Sequence, residues 1–362
     1  MIQKELRVGI VGASANGSWA KLSHVPAIND LPGLKLAAVA TRNEASARRA
    51  AEAFGADRWF SDPFAMIHDE LVDVITIAVK VPAHRELVLA ALHAGKAVYC
   101  EAPLGRSVAE AEEMASAARL HHTAIGLQGR LNPAVRRATQ LISSGKIGRP
   151  LNARIVSGVP GFGPELPSTH AYFNKMSSGA NLLTITGGHT LDVVEAVLGP
   201  ILEVDARTEI LWPTVKLKDT GEESVRETAD HVHVLGKTHT GTVIEVEISG
   251  GVAPEDARFS FEIKGSEGWL SLTGDHPYGF QAGDVTLTSN FPFAAPEEPG
   301  VSGGFMGASV NVGELYAHLV RDVHAGTYST PGFDHALHNA RLIEAVRCSA
   351  ERGERQNVSR TG

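Results

Sequence analysis

Cysteine is scarce in this chain: Cys100 and Cys348 are the only two, both in apolar settings, which fits a reducing compartment and offers no metal-ligand spacing. Long apolar runs are missing too, since no stretch approaches the ~20 residues that a membrane helix needs. No membrane partner is expected, and the location expected is cytoplasmic. There is no long basic run, the net charge is −8 at pH 7 and aromatics make up 6%, so a nucleic-acid surface has little to build on. Histidine is more plentiful, with 16 residues that include His121-His122 and His231-Val232-His233. No cysteine or acid stands beside them at ligand spacing, and His231 and His233 share one strand face only as a pair, so no metal is expected.

What is present is ample core material, 43% hydrophobic residues in a chain of 362, enough for two domains without covalent staples. The stretch that organises the rest is residues 7–20. Val8, Ile10 and Val11 form a short β-branched run that reads as a buried parallel strand, and Gly12, Ser14 and Gly17 follow it directly. In a dinucleotide fingerprint the first glycine makes the tight turn, the second admits the pyrophosphate, and the third lets helix and strand come together. Ser14 replaces the second. Its hydroxyl can donate to a phosphate oxygen beside free backbone amides, with Asn16 and Trp19 flanking the same loop.

Residues 19–29 read as a helix bent or broken near Pro26, and residues 34–40 as the next strand. After that strand stand Thr41 and Arg42, where a fold preferring the unphosphorylated cofactor places an acid. Arginine suits a 2′-phosphate, so NADP is expected ahead of NAD. Helix 44–54, a short strand from Trp59, strand 72–79, helix 84–94 and strand 97–100 continue the alternation. The fold class is therefore α/β, with a doubly wound parallel sheet whose strand ends put Thr41, Lys80 and Glu101 on one rim.

Residues 75–105 hold a histidine after a proline-bearing strand end (His84), then Ala-Leu-His-Ala-Gly-Lys, then Glu101-Ala102-Pro103. Together with Leu127-Gln128-Gly129-Arg130-Leu131-Asn132-Pro133 and the run from Leu141 to Gly148, this resembles the glucose-fructose oxidoreductase and inositol dehydrogenase family. Trp19-Ala20, His24, Pro26 and Gly188-His189-Thr190-Leu191-Asp192 look most like its subgroup around the fungal galactose-pathway repressor, a regulator rather than a working enzyme. The resemblance implies a dinucleotide-binding Rossmann domain over residues 1–129, whose cofactor residues include Lys80, His84, Glu101, Ala102 and Gln128. It implies a second, α+β domain over 130–362 on an open, mostly antiparallel sheet, the last helix docking back. Candidate strands there are 154–157, 202–210, 231–235, 242–249, 258–264 and 269–273. In the fourth, Ile244, Val246 and Ile248 share one face while Glu245 and Glu247 take the other, so one face is covered and the other is free to join subunits in a homo-oligomer. Residues 213–228 and 291–304 read as surface loops, and 336–352 as a closing amphipathic helix.

The family's usual lysine between glutamate and proline, which assists proton movement during hydride transfer, is Ala102 here. Its second signature, an aspartate four residues before a histidine on one helix face, keeps His189 but has Ile185 in place of the acid. His189 is accordingly the leading catalytic candidate. Tyr172 and Lys175 are substitutes near the Ser177-Ser178-Gly179 turn, and Lys80 is another at its strand end. The reading ranked first is an oxidoreductase acting with NADP or NAD on a hydroxyl or carbonyl of a sugar, polyol or related small molecule, with an altered proton relay. A cofactor-binding regulator or sensor that has lost catalysis is the alternative from another class. A lyase or hydrolase working through transient oxidation is a third.

Overall fold

The computed structural model describes residues 5–296 and 307–358. They fall into two compact units, one taking in residues up to Gln128 with a later stretch ending at Leu337, the other the intervening stretch and the residues from His338.

In the first unit, β1 (Leu6–Val11) is flanked on both sides by parallel strands, which is why Val8 and Ile10 are wholly buried. With β2 (Leu34–Ala40), β3 (Arg58–Phe60), β4 (Val74–Ile77), β5 (Ala97–Cys100) and β6 (Thr123–Ile125) it forms a six-stranded parallel sheet in the order β3-β2-β1-β4-β5-β6. That is the doubly wound dinucleotide-binding order, with its switch point between β1 and β4. The crossovers are α1 (Trp19–Leu22), α2 (His24–Asp30), α3 (Glu44–Phe54), α4 (Pro63–Ile67), α5 (His84–His93) and α6 (Val108–Ala117). Asn43 and Ser107 cap α3 and α6 by accepting the backbone N–H groups of Ser46 and Glu110. The break expected near Pro26 falls at Ser23, between α1 and α2. Proline cannot donate to the carbonyl four residues back and its ring crowds that carbonyl, so the helix stops before it and restarts with Pro26 in a first turn.

The helices α7 (Pro133–Ser143) and α8 (Gly188–Leu198) belong to the second unit. Its main sheet has eight strands: β7 (Pro150–Val159), β9 (Ile201–Glu209), β12 (His231–Thr238), β13 (Val243–Gly250), β14 (Arg258–Gly265), β15 (Trp269–Gly274), β16 (Thr286–Ser289) and β17 (Gln356–Asn357), ordered β16-β15-β14-β7-β13-β12-β9-β17. Only the β7–β13 pair is parallel. Ile244, Val246 and Ile248 face the core while Glu245 and Glu247 take the other face, as their alternation requires. Residues 213–228, read as a loop, contain strands β10 (Thr214–Leu217) and β11 (Glu223–Val225), which join β8 (Glu165–Leu166) in a small three-stranded sheet. Val215 and Leu217 are buried in it with Leu166. Four residues carry too short an alternation to stand out from charged neighbours.

Two helices close the chain. α9 (Ala308–Ala325) belongs to the first unit, against α2 and β6, although it lies far beyond residue 130 in sequence. Val312, Leu315, Tyr316 and Leu319 are buried on it, so the first unit includes a stretch from late in the chain that a single division of the sequence does not capture. α10 (Phe333–Arg352) starts three residues earlier than the expected helix and puts Leu342, Ile343 and Val346 into the second unit's core. Part of the loop expected at 291–304 lies outside the described residues.

Candidate functional site

The turn after β1 is built around one backbone position. Gly12 has φ +99°, a conformation that side chains other than hydrogen rarely adopt, and its N–H donates to Ala40 O at 2.9 Å. A Cβ there would sit 2.3 Å from Ala78 O, so the turn presses directly on the chain leaving β4. The Ser14 hydroxyl accepts the Asn16 N–H at 3.3 Å and keeps its own proton to give. Ser18 accepts the Lys21 N–H at 3.2 Å and donates to Ser14 O at 3.0 Å, pinning the loop's shape. Trp19 Nε1 is buried with no hydrogen-bond partner among the described residues.

At the end of β2, Thr41 Oγ1 lies 2.6 Å from Ser46 Oγ. Arg42 is exposed and has no ion pair among the described residues. Glu44, the nearest acid, is held by Arg48 at 2.6 Å one helical turn on. No carboxylate therefore closes the strand end, and the guanidinium is left for an anion.

At the ends of β4 and β5, Lys80 is exposed while His84 is buried. The His84 ring sits between carbonyls, Val79 O at 3.0 Å from Nε2 and Pro103 O at 3.1 Å from Nδ1. Burial pushes its pKa down, so the ring is neutral and donates to one of these carbonyls, while Cys100 Sγ also lies 3.4 Å from Nδ1. Glu101 Oε1 lies 2.8 Å from His24 Nε2. Ala102 follows with only a methyl group, before a cis peptide to Pro103. Gln128 is 1% exposed and neither atom of its amide has a partner among the described residues. Leaving such a group unpaired costs about 1–3 kcal/mol, a cost that a ligand amide or hydroxyl would relieve.

In the second unit a π-helical turn, Leu183–Gly187, runs straight into α8. Such turns occur often at functional sites. The turn contains Ile185, whereas His189 stands in the α-helix proper, so the regular one-face relation of residues four apart does not run through this junction. His189 is buried, at 6% exposure. Asp192 is buried and accepts from Arg130 Nη1 at 2.8 Å, and Glu195 lies 2.8 Å from His338 Nε2. His189, Asp192 and Glu195, three apart, make a polar stripe on a helix whose remaining residues are apolar except Thr190. The substitutes expected near the glycine turn fare differently. Lys175 is exposed and bound to Glu227 at 2.7 Å, while burial pushes the Tyr172 phenol up to about 12. That makes the phenol a weaker acid, not a readier base. His231 and His233 bring their Nε2 atoms to 3.0 Å, but no group of three or more ligating side chains occurs among the described residues. The Glu195 and His338 contacts were not legible beforehand, because their partners lie 143 residues apart.

The hydrogen bond to Glu195 raises the pKa of His338 above its ordinary 6.5. A raised folded-state pKa gives stability that is fully present below the unfolded value and is lost as pH rises through the folded one. Melting temperature is expected to fall over a window that begins near 6.5 and extends above it, with His338→Gln flattening that part of the profile. An equally steep wild-type and variant profile would remove the pair from the account.

Residues 6–128 match the model of an oxidoreductase family with an NAD-binding Rossmann fold, and residues 133–274 match that of the Gal80p C-terminal domain. The chain is 33% identical over 227 residues to dehydrogenase aclE of Aspergillus oryzae, an alignment covering 60% of this chain and 62% of that protein. It is 32% identical over 299 residues to the galactose/lactose metabolism regulatory protein GAL80 of Kluyveromyces lactis, covering 75% and 64%. It thus spans just under two thirds of the length of both. Inositol 2-dehydrogenase 2 of Saccharopolyspora erythraea is 28% identical over 295 residues, covering 79% and 76%. Among solved structures, a super-repressor mutant of Gal80p from Saccharomyces cerevisiae superposes with a TM-score of 0.86 at 26% identity, over 98% of each chain.

Proposed function

The chain belongs to the oxidoreductase family with an NAD-binding Rossmann fold, and from that premise we propose that it oxidises or reduces a hydroxyl or carbonyl of a sugar or polyol with a nicotinamide dinucleotide. The observation that carries the reading is the cradle after β1, where only a hydrogen fits on Gly12, together with the buried and unpartnered amide of Gln128. A bound dinucleotide supplies the carbon that takes or gives hydride. The loop from Gly12 to Gly17 offers backbone amides and the Ser14 hydroxyl to the pyrophosphate, with Asn16 and Trp19 beside it. Thr41 and Arg42 take the adenosine ribose and a 2′-phosphate, and Lys80, Glu101, Ala102 and Gln128 take the nicotinamide half. His84 positions their loop. His189 is the acid or base toward substrate, Tyr172 and Lys175 shaping its surroundings. We place the chain in the cytoplasm as a homo-oligomer joined through the outward face of the eight-stranded sheet.

A second reading, a regulator that binds cofactor without turnover, is favoured by Ala102 and Ile185 and by the match to Gal80p. One assay separates them: nicotinamide absorbance with NAD and NADP against a panel of sugars and polyols. Turnover with any of them supports the enzyme. A melting shift with cofactor but no turnover across the panel supports the regulator. In the same assay Arg42→Ala is expected to lower preference for NADP over NAD by ~10-fold or more, the scale of a charge-assisted contact. No change in preference would remove Arg42 from cofactor choice.

A further inference from the structure

Three side chains of the first unit to which the proposed function gives no part form a buried line of contacts that ends on a fourth, Glu101. Thr76 comes from β4, Tyr316 from α9, His24 from α2, and Glu101 stands just past β5. Thr76 Oγ1 lies 2.7 Å from Tyr316 Oη, Tyr316 Oη 2.9 Å from His24 Nδ1, and His24 Nε2 2.8 Å from Glu101 Oε1. The first three side chains are fully buried, and that of Glu101 is 15% exposed. Tyr99 meets the His24 ring edge-on at 4.9 Å, enclosing the line in aromatic surface. Gly126 leaves room for the carboxylate, since a Cβ there would lie 2.8 Å from Glu101 Oε2.

The chemistry of the donors gives this line a direction. A neutral imidazole has one N–H and one bare nitrogen, a hydroxyl has one proton to give, and an ionised carboxylate only accepts. Burial holds the Tyr316 phenol well above its ordinary pKa, so it stays a neutral donor. With Glu101 ionised, Nε2 must carry the imidazole proton, Nδ1 must accept from Tyr316, and Tyr316 must accept from Thr76. Every link is then satisfied in one sense only. The outer end of this polarised line is the carboxylate next to Ala102, where the proton-handling lysine is absent.

We propose that Glu101 is the proton-accepting group of the first unit and that His24, protonated at Nε2 toward it and held at Nδ1 by Tyr316 and Thr76, is the residue that positions it. The inference rests on the oxidoreductase reading. In the oxidising direction the carbinol O–H bond breaks and its proton goes to the Glu101 carboxylate. The O–H electron pair becomes the second carbon–oxygen bond, and hydride leaves carbon with its own pair for the nicotinamide cofactor. The reverse step returns the proton from Glu101.

Two readouts test this. Long-range ¹H–¹⁵N spectra of the full chain, labelled at histidine and assigned by difference with His24→Gln, are expected to show His24 in one tautomer, protonated at Nε2 and bare at Nδ1. In Glu101→Gln, whose amide can donate as well as accept, that tautomer is expected to mix while the other histidine signals stay in place. A wild-type ring protonated at Nδ1, or one that Glu101→Gln leaves unchanged, overturns the proposal whether or not the chain is an enzyme. On the sugar that turns over, Glu101→Gln is expected to lower kcat by ~10²-fold or more, with KM and NADH affinity within about threefold. Tyr316→Phe is expected to lower kcat by ~10-fold with KM unchanged. Unchanged kcat with weakened NADH affinity makes the pair a brace and overturns the proposal alone. No turnover in the wild type overturns the oxidoreductase reading and this role with it.

Discussion

Gly12→Val is expected to abolish the stabilisation that saturating NADH or NADPH gives the wild-type chain, ~2.7 kcal/mol at 100 times the dissociation constant. The effect is large because two costs coincide at one atom. The backbone there has φ +99°, where a branched side chain is strained, and the new Cβ would stand 2.3 Å from Ala78 O, a backbone atom that cannot rotate away. The turn must then move off β4, taking with it the amides that would face the pyrophosphate. Gly17→Ala makes the comparison. Gly17 has φ +103°, but nothing lies within 4 Å of its Cβ position, so it carries the conformational strain without the collision. Melting scans without ligand report how far each variant damages folding, and scans with ligand report the shift. A Gly12→Val protein that keeps the full wild-type shift would show that the cradle holds no dinucleotide.

The contrast between those two glycines also marks what could be read beforehand. That a strand, a glycine turn and a helix follow one another is written locally, in Val8, Ile10, Gly12 and Gly17, and repeated local patterns of this kind carried the six-stranded sheet. The strands of the second unit with long alternation, such as β13, were legible for the same reason. Features that depend on distant partners were not. The collision of Gly12 with Ala78 spans 66 residues, and α9 returns to the first unit nearly 300 residues after His24, which its Tyr316 contacts. Pairing His24 with Glu101 requires knowing that α2 and the end of β5 meet, which no spacing in the sequence reveals. The site was legible where a residue's identity alone changes the chemistry, as with Ala102 and Ile185. It was hidden where the role comes from what the side chain touches: Asp192 is taken by Arg130, Lys175 by Glu227, and His84 by two carbonyls.

His189→Ala carries most of the functional claim. If the chain is an enzyme, this variant is expected to cut turnover by ~10²-fold or more, the scale for losing a general acid or base, with the melting temperature close to wild type. The surroundings of the imidazole set this expectation. It is buried on an apolar helix, directly after a π-helical turn and the Gly187-Gly188 pair, at a place where a side chain of similar size but no titratable group would fill the same space. On its own helix Asp192 accepts from Arg130 and Glu195 meets His338, and Ile185 brings no carboxylate. With Ile185 in place of the family's aspartate, restoring only the missing lysine with Ala102→Lys is expected to raise turnover by less than ~10-fold. Two controls keep the result interpretable. His189→Gln preserves volume and hydrogen bonding but cannot titrate, and is expected to be as slow as the alanine variant. If Gln restores the rate, the histidine acts by shape and polarity alone. The regulator reading expects something else: no turnover in the wild type, with sugar binding measured by calorimetry lost in His189→Ala. Unchanged turnover and unchanged sugar affinity in His189→Ala would sink both, leaving a histidine that only fills the core of α8.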